Sequence, residues 1–262
     1  GVTVTGDKYI RIRGLGERYN FVQLNDAPAP SMEADVRSFS FDIVPASLID
    51  RILIYKSPAA DLPGDFSGGV VKIFTRSIPE ESFIEVNYGT GYREGSSLKE
   101  FLGSENSNTY FTGFNDKTHD LPADFPKDLR LANSAQLIQA GRSLPNDWVP
   151  VTSNSGLNQS FTLNGGLRLK AGKATIGNIT SLLYSNNKTA YRVERYDYMQ
   201  YDASQQRSSI LYNFLDEEYT HNIRSGLLHN WAIKFNENHS VEFRNFYNRI
   251  SCGQYVLRTG IH

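Results

Sequence analysis

The residues whose types and spacing could support chemistry are few, and the first set begins at Gly14. Gly14-Leu15-Gly16 resembles the start of a phosphate-binding glycine loop. Such a loop needs a third glycine at position 19, followed by a long helix. Position 19 is Tyr19 and no long helical pattern follows. The segment is therefore predicted to be a turn.

Acidic residues are a second possible source of chemistry. Asp61 and Asp65 flank Pro63-Gly64, and no His or further acid stands at ligand spacing, so stabilisation of a turn is favoured over a metal site. Asn115-Asp116 and Asp120 lie in a predicted loop. A calcium loop would have twelve residues, a central glycine and a final Glu, which this segment lacks. A weak ion site there remains the alternative.

The remaining reactive side chains do not form a catalytic group. His221 and His229 are eight residues apart on one predicted strand, which separates them by about 27 Å and excludes a shared metal. Cys252 is the only cysteine, so no intrachain disulfide can form. No serine stands in a GxSxG turn. We therefore predict a protein that is not an enzyme and that has no cofactor and no metal.

The bulk composition favours a β-rich protein. The 262 residues include 27 Lys and Arg against 28 Asp and Glu, so the net charge of −1 gives no support for nucleic acid as a partner. There are 15 Tyr, 15 Phe and 21 Gly, which suits strands and tight turns. No run of 18 apolar residues exists, which excludes a transmembrane helix but not a barrel of short membrane-spanning strands.

Residues 1–78 are predicted to form an α+β domain with a four-stranded sheet and a short helix. Alternation and turn residues place the strands at 9–13, 21–24, 51–56 and 70–75 and the helix at 45–50. Gly68-Gly69 precedes the last strand, which suggests that another wall comes close to the backbone there.

Residues 79–262 are predicted to form about five antiparallel strands at the start of a transmembrane β-barrel. Polar and apolar residues alternate over 83–92, 157–170 and 219–235, whereas 174–193 and 240–250 are assigned to strands mainly by position. Tight turns at 170–173 and 236–239 contrast with long connections at 93–155 and 194–216. This one-sided distribution of loops is typical of outer-membrane barrels. Within the first long connection, helical spacing indicates a helix in 126–140.

Aromatic residues of these strands fit the headgroup level of a membrane, where an amphipathic ring is favoured. A soluble sandwich core is the alternative explanation. The residues are Tyr88, Tyr92, Tyr184, Trp231, Phe235 and Tyr247.

Three stretches resemble the plug domain of TonB-dependent outer-membrane receptors. They are YIRIRGLGERYNFVQLNDAPAPS, FDIVPASLIDRILIYKSPAADLPGDFSGGVVKIFTR and SFIEVNYGTGY, in this order. The layout is most similar to receptors of the Bacteroidetes type. The resemblance implies a barrel of about 22 strands filled by the plug, so we expect this chain to be a fragment with the later part of the plug and the first strands.

The resemblance also implies a function and its partners. We expect uptake of a scarce solute across the outer membrane of a Gram-negative cell. TonB, together with ExbB and ExbD, would drive this uptake by acting on a segment that is absent here. Outer-membrane lipid and an extracellular substrate are the other expected partners. A cell-surface binding or adhesion protein without transport is the alternative.

Two sets of site residues follow from the resemblance. Plug loops facing outward would meet the ligand, and the residues at these positions are Glu17, Arg18, Tyr19, Ser31, Met32 and Glu33. Each of them could equally cap a strand. A plug that must move should be tied to its lumen by charge pairs and hydrogen bonds, and Arg13 and Arg76 are the predicted anchors.

Overall fold

A computed structural model describes most of the chain and divides it into two units. The described residues are 1–5, 9–31, 38–41, 44–45, 48–103, 110–114, 120–123, 125–144 and 149–261. Unit 1 comprises Gly1–Gly89, Ser160–Tyr184 and Arg224–Ile250. Unit 2 comprises Thr90–Gln159, Ser185–Ile223 and Ser251–His262.

The N-terminal part of unit 1 contains two small sheets. Its strands are β1 (Val2–Thr5), β2 (Tyr9–Ile12), β3 (Asn20–Leu24), β4 (Ala27–Pro28), β5 (Ile49–Tyr55) and β6 (Gly69–Thr75). β1 and β2 form an antiparallel pair. The other four strands follow the order β4-β3-β6-β5, in which β3 and β6 are parallel and the remaining pairs are antiparallel.

Local sequence explains the tight connection between β3 and β4. Asn25 and Asp26 form a two-residue turn, and both have positive φ, at 53° and 65°. Turns with two such residues match the natural twist of a hairpin, and Asn and Asp tolerate this conformation well. The turn also fixes the position of the Asn25 side chain, which takes part in the site described below.

The central strand β6 carries the core of the N-terminal sheet. Val70, Val71 and Ile73 are fully buried, because β6 has a strand on each side and packed residues on each face. Their apolar surface is the main source of stabilisation, at about 1.5–3 kcal/mol for each fully buried side chain. The main buried cluster is Ile12, Leu24, Phe39, Val44, Val71 and Ile73.

Two details of this sheet differ from the sequence prediction. The strand predicted at 9–13 is β2, which pairs with β1 and does not join the four-stranded sheet. Ile49 and Asp50, predicted to end a helix, belong to β5. Pairing of Ile49 with Thr75 and a bond from the Arg76 N–H to the Leu48 carbonyl satisfy the backbone there. Ala46 and Ser47 of the predicted helix lie outside the described residues.

The remaining chain contains a five-stranded open sheet and a separate two-stranded one. Its elements are β7 (Phe83–Gly91), β8 (Glu100–Gly103), α1 (Ser134–Ser143), β9 (Val151–Asn154), β10 (Asn158–Ala171), β11 (Ala174–Tyr198), β12 (Ile210–Lys234) and β13 (Ser240–Ile261). The larger sheet has the order β13-β12-β11-β10-β7, so neighbours in space follow the order of the chain. β8 pairs with β9.

Each of the five segments predicted as strands overlaps one strand of the larger sheet, but three of these strands, β11, β12 and β13, extend well beyond the predicted bounds. About half of the connection predicted at 194–216 is strand, because β11 ends at Tyr198 and β12 begins at Ile210. The helix predicted within 126–140 begins later, at Ser134. Asn133 and Gln136 form a reciprocal capping box that fixes this start. No helix in the described ranges is both long and apolar enough to cross a membrane.

Candidate functional site

The site with the densest polar contacts lies in unit 1, where the end of β6 meets strands β12 and β13. Thr75 closes β6 and is almost fully buried. Its backbone N–H donates to Asn25 Oδ1 at 2.9 Å, and Asn25 Nδ2 donates to Thr75 Oγ1 at 2.9 Å. The β3–β4 turn therefore holds the end of β6 in place. We call the contacts of residues 75–77 and Asn25 with β12 and β13 the polar seam.

Asn230 is the buried member of the polar seam on β12. It has no exposed surface, and its Nδ2 donates to Thr75 Oγ1 at 2.8 Å and to the Arg76 carbonyl at 3.0 Å. Asn178 Nδ2 on β11 donates to the Asn230 carbonyl at 2.9 Å. A buried amide that satisfies a hydroxyl and a carbonyl fixes the position of both groups, since leaving either one unpaired costs about 1–3 kcal/mol.

Arg244 is the charged member of the polar seam on β13. Its Nη1 donates to Asn25 Oδ1 at 2.8 Å and its Nε donates to Ser77 Oγ at 3.1 Å. Its Nη2 bonds to Glu242 on the same strand, and Ser77 Oγ donates to Glu242 at 3.3 Å. The guanidinium thus contacts neutral groups of the N-terminal sheet and keeps its counter-ion on its own strand.

An apolar cluster lies beside the polar seam. Leu48 packs against Ile179 of β11 and Leu228 of β12, and all three are buried. Gly177 of β11 allows a close approach, because a Cβ built there would lie 2.7 Å from the Ile78 Cα. Strands β11–β13 therefore hold the N-terminal sheet through apolar contacts as well as polar ones.

An open cleft of about 430 Å³ borders the polar seam. Three arginines and three acids line it, so its charge is balanced. They are Arg51, Arg76, Arg244, Asp50, Glu80 and Glu242.

Comparison with known proteins identifies the N-terminal sheet. Residues 1–71 match the family model of the TonB-dependent Receptor Plug Domain. This segment is a TonB-dependent receptor plug domain. Residues 75–77 of the polar seam comprise the last residue of β6 and the two that follow it, and β6 begins within the matched segment.

One solved structure is similar over most of the chain. It is the siderophore receptor PirA from Acinetobacter baumannii, with a TM-score of 0.34 and 14% identity over 95% of this chain. The chain spans 39% of the length of that receptor. No curated protein sequence matches the chain. The Bacteroidetes type stays a prediction.

The predicted anchors of the plug occupy different positions from Asn230 and Arg244. Arg76 enters the polar seam through its backbone carbonyl, whereas its side chain is exposed. Arg13 follows β2 with a φ of 57° and donates its backbone N–H to the Gly1 carbonyl. An anchoring role for the Arg13 and Arg76 side chains stays a prediction.

Gly68-Gly69 meets other parts of the plug and not a wall strand. A Cβ on Gly69 would lie 2.6 Å from the Tyr55 carbonyl, and one on Gly68 would lie 2.1 Å from Asn20 Oδ1. The close approach expected at this pair is thus present, but it occurs inside the plug. The sequence places Asp61 in a turn. In the structure its Oδ2 lies 3.8 Å from the Nζ of Lys72 on β6.

The residues predicted to meet a ligand are only partly described. Glu17–Tyr19 form an exposed 3₁₀ turn in which Arg18 lies over the Tyr19 ring at 4.8 Å and donates to its hydroxyl. Ser31 Oγ accepts a bond from the Ser38 N–H at 3.2 Å. Met32 and Glu33 lie outside the described residues. Ligand binding by this set stays a prediction.

Unit 2 contains a second group of charged residues, on β11, β12 and β13. Asp216 is fully buried and accepts bonds from Arg195 at 2.6 Å and from Arg258 at 2.6 and 2.7 Å. Glu218 bonds Arg195, and Glu217 bonds Arg192. Opposite charges thus link the three strands where the sequence predicted a loop. In the connection that follows β11, hydrogen bonds from Ser204 and Gln205 hold the pKa of Asp202 below its usual value.

Sequence reasoning missed Asn230 of β12 and Arg244 of β13, the two residues of the larger sheet in the polar seam. Alternation places Asn230 on the polar face of its strand, which indicates the orientation of the side chain but not its partner. Nothing local in the sequence distinguishes Arg244 from the other arginines. Within the described ranges, no three His, Cys, Asp or Glu side chains lie close enough together to hold a metal ion.

Proposed function

We propose that the chain is part of a TonB-dependent receptor in the outer membrane of a Gram-negative cell, and that this receptor takes up a scarce solute. The plug would extend over residues 1–78 and gate a barrel lumen. The first strands of that barrel would lie within residues 79–262. The match of residues 1–71 to the plug family carries this proposal.

The polar seam would hold the plug in the closed receptor. Its bonds join the plug to β12 and β13 through Asn230 and Arg244. A net hydrogen bond contributes only about 0.5–1.5 kcal/mol, because water replaces it when it opens. The open cleft beside the seam gives water a route to the Arg244 guanidinium. Such contacts can hold a plug and still release it.

The exposed aromatic residues of the larger sheet would face lipid. Tyr88, Tyr92, Trp231, Phe235 and Tyr247 are exposed, and Tyr184 is half-buried. A soluble protein would normally cover this much apolar surface. Lipid contact is the covering that a barrel wall requires.

The proposed partners are TonB with ExbB and ExbD, outer-membrane lipid and an extracellular solute. Binding of a solute cannot by itself drive release to the other side of the membrane, so energy must come from an ion gradient through TonB. The solute class, whether siderophore, glycan, peptide or another scarce nutrient, is left to experiment. The protein would act as a transporter and receptor and not as an enzyme.

Growth and uptake in a deletion strain test this function. The full-length gene is restored to the strain, and labelled siderophores, glycans and peptides are supplied one class at a time. We expect uptake of one class to return, and to be lost again when TonB is deleted or the proton gradient is collapsed. Solute binding with uptake unaffected by loss of TonB would contradict the proposal. Cell-surface adhesion without any uptake would favour the adhesion protein.

A further inference from the structure

A small cavity in unit 2 is lined in part by the paired strands β8 and β9. Phe101 and Gly103 of β8, Val151 of β9, Lys188 of β11 and Tyr219 and His221 of β12 line it. Its volume is about 40 Å³, which is room for about three water molecules. The cavity would therefore hold one terminal group of a larger ligand and not the whole ligand.

Aromatic rings form one wall of the cavity. Phe101 is buried, and the Tyr219 ring meets it edge-on with centroids 5.5 Å apart. The His221 ring also lies edge-on to Phe101, at 6.5 Å. His221 Nε2 lies 2.8 Å from Asn186 Oδ1, which fixes the orientation of the ring. Tyr219 is half-buried, so part of its ring can contact a flat group.

Lys188 introduces a positive charge into this aromatic wall. Its Nζ lies 4.8 Å from the centre of the Phe101 ring and 3.5 Å from the Asn154 carbonyl oxygen. Among the described residues, no carboxylate forms an ion pair with it. An ammonium group next to apolar rings has lost part of its hydration, and it gains most from an anion that restores a full charge partner.

Nearby acids are engaged elsewhere or lie toward Tyr219. Glu217 is paired with Arg192 at 2.7 Å. Glu100 and Glu217 both act electrostatically on the Tyr219 hydroxyl. Since Glu100 would repel an incoming anion, its removal provides a second way to test the sign of the charge that the cavity accepts.

We propose that this cavity is a subsite for a flat anionic terminal group of the class of aromatic carboxylates. The carboxylate would occupy the cavity, where one of its oxygens would accept a bond from Lys188 Nζ, and the ring would lie outside the cavity, against Tyr219. The proposal rests on the proposed function, because it names the chemistry of one end of the solute.

Fluorine NMR on the full-length receptor in detergent micelles tests the subsite. The probes are 4-fluorobenzoate and the neutral 4-fluorobenzamide. We expect the benzoate to bind the wild type and K188R, and to bind K188M roughly tenfold or more weakly, since a charge-assisted bond is lost. K173M removes an exposed turn lysine and should leave binding unchanged. E100Q should strengthen binding.

A cavity-filling variant keeps the test independent of the charge change. Gly103 lines the cavity, and a Cβ there would meet only the Phe101 ring, at 3.8 Å. G103L should therefore block benzoate while Lys188 remains. Equal binding of benzoate and benzamide, or benzoate binding that K188M and G103L both leave intact, would overturn the proposal, as would no binding of benzoate to the wild type.

Uptake measured on the same proteins separates this proposal from the proposed function. TonB-dependent uptake without benzoate binding would remove the subsite and leave the receptor function. Benzoate binding that depends on Lys188, together with uptake that is independent of TonB, would support the subsite and contradict the proposed receptor function.

Discussion

Replacing Arg244 by methionine should loosen the plug. R244M keeps much of the apolar stem and removes the two bonds to Ser77 and Asn25. Hydrogen bonds to a charged group contribute about 1.5–3 kcal/mol each, but the side chain is 27% exposed and partly screened. The Glu242 bond stays within β13 and does not count. We expect a loss of about 2 kcal/mol for the pair, which is a roughly 30-fold larger population of receptors with the plug displaced.

Passive flux through the full-length receptor in liposomes measures this population. The liposomes contain no TonB, so any leak of an encapsulated hydrophilic dye reports spontaneous displacement of the plug. K234M is the matched control, because Lys234 is exposed on β12 and has no partner among the described residues. R76M is a second comparison. It removes the guanidinium of Arg76, a residue that joins the seam through its backbone carbonyl, so its leak can be compared with that of R244M.

A double-mutant cycle with S77A assigns the effect to the contact itself. If Arg244 acts through Ser77, the effect of R244M on the leak should be smaller in an S77A background. Fully additive effects would show that this contact does not hold the plug. A leak in R244M no larger than in K234M, or smaller than in R76M, would refute the assignment of the anchor to Arg244.

Three further predictions concern single contacts. N230L should lower the free energy of unfolding of the plug by about 1–3 kcal/mol, because the buried Thr75 hydroxyl and the Arg76 carbonyl each lose a donor. Denaturant titration of the full receptor measures this change, and an effect no larger than that of N222L would contradict it. G177A should cost about 1–3 kcal/mol through overpacking against Ile78, whereas G165A, which meets nothing within 4 Å, should be neutral in the same titration. D216N should weaken the β11–β13 contacts, since Arg195 and Arg258 lose a shared carboxylate; limited proteolysis at residues 199–209 should then become faster, and an unchanged rate would argue against the ion pairs.

The strand segments and tight turns could be read from the sequence because both depend on local order. Alternation of polar and apolar residues over about ten positions indicates that the two faces of a strand contact different surroundings. The 170–173 turn contains Gly172, which adopts a φ of 61°, a conformation that glycine reaches without strain. Such signals need no knowledge of distant residues.

The part of β11 after residue 193 and the part of β12 before residue 219 could not be predicted, because the charged residues there are paired across strands and not within one segment. Arg192 and Arg195 face Glu217, Asp216 and Glu218 on the next strand. Cross-strand pairs of opposite charge favour strand pairing, but they are visible only once the register is known. The same charges read singly indicate a solvated segment.

The apolar residues at alternate positions of β12 also do not all share one environment. Trp231 and Phe235 are exposed, as lipid-facing residues would be, whereas Ile223 is buried. The Ile223 side chain lies beneath Gly113, where a Cβ would come within 3.3 Å of it. A covering segment that is more than 100 residues distant in the chain cannot be inferred from the period of the strand.

The polar seam itself depends on contacts of very long sequence separation. Asn230 reaches Thr75 across 155 residues, and Arg244 reaches Asn25 across 219. The sequence predicts polar ties for a movable plug and assigns their charge to plug residues. In the seam the charge is on Arg244 of β13, where it is paired with Glu242 of the same strand.

This placement of the charge has a consequence for release of the plug. A charge on the plug would have to leave its counter-ion and cross the seam with the plug, which costs far more than breaking neutral bonds. Because Arg244 and Glu242 stay together on β13, the bonds that this charged pair loses on displacement are those to the neutral groups of Asn25 and Ser77. The apolar cluster then opposes displacement more strongly than these bonds do, since exposing each of its three buried side chains costs about 1.5–3 kcal/mol, against about 2 kcal/mol for the pair of Arg244 bonds. Resistance to displacement would thus come mainly from Leu48, Ile179 and Leu228, and the polar seam would fix the position to which the plug returns.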